Sequence, residues 1–159
     1  MPVLVVEIYV DADACPVKDE VYRVAVRHSV PVVVVANSYL RIPEHALISR
    51  QIVSDGFDAA DDWIAERANP KSVVVTADIL LADRCLKSGA RVIGPTGKPF
   101  TDDSIGAAVA TRAIMADLRV GISETGAPRA GGPAPFTKAD RSRFLSALDE
   151  ALVALKKAG

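Results

Sequence analysis

Residues 3–18, VLVVEIYVDADACPVK, are apolar and largely β-branched for eight positions, interrupted only by Glu7, and then stop on two carboxylates, a cysteine and a proline. Such a run reads as a strand buried on both faces, whose carboxyl end opens into a site. Pro16 suits the first turn of a following helix, because its fixed φ fits there and its missing N–H would have had no partner. In an open α/β sheet ligands bind at the carboxyl ends of the strands, so Asp11 and Asp13 stand where chemistry is expected. The competing reading makes Asp13 a helix cap and Asp11 a turn residue, roles that short acidic side chains often fill.

The chain that follows favours the site. Residues 17–28 carry Val21, Val24 and Ala25 at helical spacing, with Lys18, Glu20, Arg23 and Arg27 expected outward. PVVVVA at 31–36 is a second buried strand ended by Asn37 and Ser38, and YLRIPEH at 39–45 is a loop. A third short strand is expected over 48–53. A helix then opens at 58–62, with Ile64 and Ala68 inward, and closes at Asn69 and Pro70. SVVVT at 72–76 is the fourth strand and leads into Asp78; 79–88 is a helix with Gly89 as its C-cap, and 90–93 is the fifth strand. Strands alternating with single helices predict an α/β fold, a parallel sheet with helices on both faces. GPTGK at 94–98 is a turn, since Val92 stands where a phosphate loop needs glycine and Pro99 where it needs Ser or Thr.

The last third is more helical. Residues 102–118 are alanine-rich and apolar on most of their circumference, which predicts a deeply buried helix or a homo-oligomer face. Residues 119–136 hold three prolines and four glycines and predict a flexible surface loop. A C-terminal helix is expected over 137–157, opened by Thr137 with Asp140 and striped by Phe144, Leu148, Leu152 and Leu155. At 159 residues, half of them hydrophobic, the chain is expected to form a single domain. No apolar run approaches ~20 residues and no basic leader with a cleavage site begins the chain, so a cytoplasmic protein without membrane contact is expected.

Right-handed crossovers place every parallel strand's carboxyl end along one edge, which gathers Asp11, Asp13, Asn37 and Asp78, with Asp61, Asp62 and Asp83 near helix starts facing it. Crowded carboxylates raise one another's pKa and call for a cation. Only two histidines, His28 and His45, and two cysteines without metal-type spacing are present, so zinc is disfavoured. An all-oxygen set of Asp11, Asp13 and Asp78 with Asp62 and Asp83 suits Mg²⁺ or Mn²⁺, which commonly serve phosphoryl chemistry. Helix capping and solvated surface charge are the plainer roles for Asp61, Asp62 and Asp83. Lys18, Asn37, Arg112, Arg141 and Arg143 are the candidate substrate contacts. Residues 1–62 hold ten acidic and five basic side chains and 63–159 ten and fourteen, a balance compatible with a cation site beside a polyanion track.

DADACPVK at 11–18, AADDWIAERA at 59–68, TADILLADRCL at 76–86, ARVIGPTGKPFT at 90–101 and GGPAPFTKADRSRFLSALD at 131–149 resemble, in matching order, the YaiI/YqxD family of uncharacterised bacterial proteins. That family is grouped with the PIN-like domains, metal-dependent nucleases with a three-layer Rossmann-like core. The resemblance implies that Asp11 is the first aspartate of the site, Asp78 the one after the fourth strand, and Asp61 or Asp62 the carboxylate between them. It implies a divalent-metal-dependent phosphodiesterase or ribonuclease with RNA as substrate and Asp11 and Asp78 catalytic; Asp13, a feature of this family rather than of PIN-like nucleases in general, is expected to assist them from its place after the first strand. Two alternatives stand beside it. One is a haloacid-dehalogenase-like phosphatase with Asp11 as nucleophile, Asp13 as acid and Asp102 and Asp103 as a later acidic pair; the other is a non-catalytic RNA-binding protein with a vestigial metal site.

Overall fold

The structure, a computed structural model, describes residues 5–12, 16–54, 56, 58–107 and 136–158. The strands are β1 (Glu7–Asp11), β2 (Val32–Ala36), β3 (Ile48–Ile52), β4 (Ser72–Val75), β5 (Arg91–Ile93) and β6 (Pro99–Phe100). The helices are α1 (Lys18–His28), α2 (Ala59–Arg67), α3 (Ile79–Lys87), α4, whose described part is 102–107, and α5 (Lys138–Ala158). The six strands form one sheet in the order β3-β2-β1-β4-β5-β6. All neighbours are parallel except β5 and β6.

β1 lies between β2 and β4, with Val10 opposite Val34 on one side and Val75 on the other. The strand order reverses there, because β2 and β3 extend to one side of β1 and β4 and β5 to the other. Successive side chains on a strand face opposite ways. Ile8, Val10, Val32, Val34, Val73 and Val75 therefore meet Val21 and Val24 of α1 and Phe144, Leu148 and Leu152 of α5 in one core. Tyr9, Val35, Val74 and Val92 face the other way and meet Ile64 of α2, Leu81 and Cys85 of α3, and Ile105 of α4. Burial pushes the Cys85 thiol up to about 12, which suits a small buried hydrophobe rather than a nucleophile.

Two expectations are corrected. Glu20, expected outward, is 8% exposed on α1, because Arg141 of α5 reaches its carboxylate at 2.9 Å. The two-residue antiparallel β6 was not expected, being too short to show a period. α5 begins as expected with a reciprocal cap, the Thr137 N–H donating to Asp140 and the Asp140 N–H to the Thr137 hydroxyl. All four of its stripe residues are buried. The helix expected over 102–118 is described only to 107, and the 119–136 loop lies outside the described residues except Phe136.

The 94–98 segment is a turn, closed by hydrogen bonds between Gly94 and Lys98 and between Gly97 and Gly94. Gly97 has φ +89, and a Cβ there would lie 2.5 Å from the backbone carbonyl carbon of Arg143. Both the left-handed backbone and the contact with α5 demand glycine. Gly97→Ala should cost about 2 kcal/mol or more, read as a lower urea midpoint at unchanged slope.

Candidate functional site at the reversal of strand order

The crevice where the strand order reverses is the place an open α/β sheet offers for a ligand. Asp11 ends β1 and is 6% exposed. By alternation it shares the face of Tyr9, the side covered by α2 and α3. Thr76, fully buried just beyond β4, donates its hydroxyl proton to Asp11 Oδ2 at 2.9 Å and accepts the Asp78 N–H at 3.0 Å. A threonine hydroxyl has one proton, and here the N–H of Asp78 occupies the acceptor side, so that proton goes to the carboxylate. Asp78 in turn caps α3, its Oδ1 accepting from the N–H groups of Leu80 and Leu81 at 2.9 and 3.2 Å. One hydrogen-bonded chain thus runs from the end of β1 to the start of α3.

α2 supplies the third carboxylate. Asp61 is raised to about 6, by burial first and then by the charges of Asp78, Asp11 and Asp58, with Arg84 acting against them. Asp62, its neighbour, is held instead by Arg84 at 2.8 Å. Asp83 pairs with Lys87 at 3.0 Å, one turn along α3. The acids whose charges reach Asp61 are therefore Asp78, Asp11 and Asp58. Among the described residues no three His, Cys, Asp or Glu side chains converge tightly enough to close a metal site by themselves. The donors are nonetheless all oxygen, as Mg²⁺ and Mn²⁺ require, and such ions often keep several waters beside one or two carboxylates.

The other candidates are scattered. Asn37, just past β2, donates to the Ser54 carbonyl at 2.9 Å and ties down the chain after β3. Lys18 is half-buried at the first position of α1. Arg141 is engaged by Glu20, and Arg143 by Asp140 one turn before it. Asp102 and Asp103 are exposed at the start of α4, after antiparallel β6. Asp13, Cys15 and Arg112 lie outside the described residues. The residue sequence reasoning missed is Thr76. The available signal was a hydroxyl ending a buried valine run at the alternation position that faces Asp11.

A family model described as "Uncharacterized BCR, YaiI/YqxD family" matches residues 9–154, from β1 into α5. This chain belongs to that family. A UPF0178 protein of Sphingopyxis alaskensis is 69% identical over 150 residues, covering 94% of this chain and 95% of the relative. A UPF0178 protein of Nitrobacter winogradskyi is 57% identical over 153 residues, with 96% and 94% covered. The UPF0178 protein bll3966 of Bradyrhizobium diazoefficiens is 61% identical over 145 residues, with 91% and 84% covered. No solved structure matches. The YaiI/YqxD model includes Asp11, Asp61, Thr76 and Asp78, so the whole crevice lies within the matched region.

The Asp61 shift has a definite sign. A carboxyl whose folded pKa is raised from 3.8 to about 6 opposes folding once ionised, so stability should fall as pH rises from about 4 to 6. Asp61→Asn should flatten that slope, raising the thermal midpoint at pH 7 and leaving it nearly unchanged at pH 4. Asp78→Asn keeps the α3 cap, whereas Asp78→Ala should cost about 1 kcal/mol in chemical denaturation.

Proposed function

We propose that this family member is a divalent-cation-dependent phosphodiesterase that hydrolyses RNA, as its resemblance to PIN-like nucleases implies. The observation that carries the reading is the hydrogen-bonded link from Asp11 through Thr76 to Asp78 at the reversal of strand order, with the charges of both aspartates raising Asp61. A group perturbed by burial together with specific charge partners, placed in such a crevice, is the pattern expected of a catalytic site. Asp11 and Asp61 offer carboxylate oxygens to the cation, and Asp78 adds a third from the helix start. Asp13, two residues beyond Asp11, assists them. Thr76 fixes which way Asp11 points. The cation, when bound, offsets these charges and the charge that develops on a phosphodiester. Asp61 takes the role in preference to Asp62 and Asp83, whose carboxylates are neutralised by Arg84 and Lys87.

Millimolar Mn²⁺ or Mg²⁺ should raise the thermal midpoint by mass action, more at pH 7.5 than at pH 5, where Asp61 is largely protonated. Asp11→Asn combined with Asp78→Asn should abolish the gain. Single-stranded RNA should be cleaved by the wild type and bound without cleavage by Asp11→Asn. A midpoint indifferent to either cation would overturn the metal site, and binding without cleavage by both forms would leave a binding protein. Turnover of small phosphomonoesters that Asp11→Asn abolishes would instead make Asp11 a nucleophile.

A further inference from the structure

Two of the large hydrophobic side chains left exposed stand at the β3 edge of the sheet, Tyr39 at 71% and Ile52 at 40%. Tyr39 follows β2, and the guanidinium of Arg50 lies 4.5 Å from its ring centroid. With most of the residue in water, the other face of the ring meets solvent. The register sets the height of this patch: Asp11 is level with Val35, Val35 with Gln51, and Ile52 one residue further toward the carboxyl edge. β3 is two strands from β1, roughly 10 Å away at ~4.8 Å per strand. Arg50 and Ile52 alternate onto the α1 side of the sheet, so the patch lies at the rim of the carboxyl edge, across the sheet from the Asp11 face. Arg41 is exposed in the same loop, and neither it nor Arg50 forms an ion pair among the described residues. In a stretch of chain otherwise rich in acid, this corner combines an open aromatic face with two available cations.

We infer that Tyr39, backed by Arg50, is a stacking platform for an unpaired nucleobase of RNA whose backbone passes from the carboxyl edge to Arg41 and Arg50. The inference rests on the RNA reading above and says where an unpaired base of that single-stranded substrate is held. Stacking explains the aromatic, because every base has a π-face, and the arginines supply the charge a phosphate requires. A base paired within a duplex cannot reach the ring.

Anisotropy of a labelled single-stranded RNA at low salt, in EDTA so that nothing is cleaved, tests this. Tyr39→Ala should weaken binding roughly tenfold, as loss of one base stack does, while Tyr39→Phe stays within about twofold. Duplex RNA of the same sequence should bind both variants as it binds the wild type. Because Tyr39 is exposed and remote from the acids, Tyr39→Ala should keep its Mn²⁺-induced midpoint shift. Undiminished single-strand binding by Tyr39→Ala overturns the platform and leaves the nuclease reading intact. No single-strand binding by the wild type removes both the platform and RNA as substrate, even if Mn²⁺ still stabilises the fold. A Tyr39 effect without any Mn²⁺ shift supports the platform and overturns the catalytic reading.

Discussion

β1 is paired in parallel on both sides, and a strand so placed has no freedom of its own. Its backbone joins the ladders of β2 and β4, and Ile8 and Val10 are fully buried. Parallel pairing demands that each connection return across the sheet, which puts α1 on one face and α2 and α3 on the other. The chain leaving β1 and the chain leaving β4 then diverge to opposite sides. An open α/β sheet offers a gap at such a divergence. Asp11 and Thr76 border that gap because they come next after Val10 and Val75, the last residues that β1 and β4 pair with each other.

The electrostatics of the gap follow from what is withheld as much as from what is present. Arg84 is near enough to act on Asp61, yet its hydrogen bond goes to Asp62. Asp78 draws two N–H donors from α3, where the helix dipole favours a negative charge. Among the described residues Asp61 accepts no such hydrogen bond, and burial with the neighbouring charges raises it to about 6. Asp61 is thus set apart by burial and by its neighbours' charges.

What could be read from the chain beforehand divides along the range of the interactions involved. β1, β2 and β4 announce themselves as β-branched runs, and α5 by Phe144, Leu148, Leu152 and Leu155, since burial on a regular element leaves a period. Asp78 could be placed because it directly follows such a run. Glu20 could not, since its burial depends on Arg141 in a helix 121 positions later. That Arg84 takes Asp62 and not Asp61, and that Thr76 reaches Asp11 across 65 positions, are long-range contacts. Neither leaves a mark on local composition. β6 exists only because Val92 and Ile93 offer it an edge.

α5 covers the sheet face that α1 alone leaves half bare, and it is fastened to α1 by Asp149 against the His28 ring at 2.6 Å and by Lys156 on the His28 carbonyl. Ribosomes work from the other end. At roughly 5–20 residues per second, the sheet through β5 emerges several seconds before α5 is complete. For that interval the half of the valine-lined face that α1 does not reach has no cover, although the five parallel strands are already made.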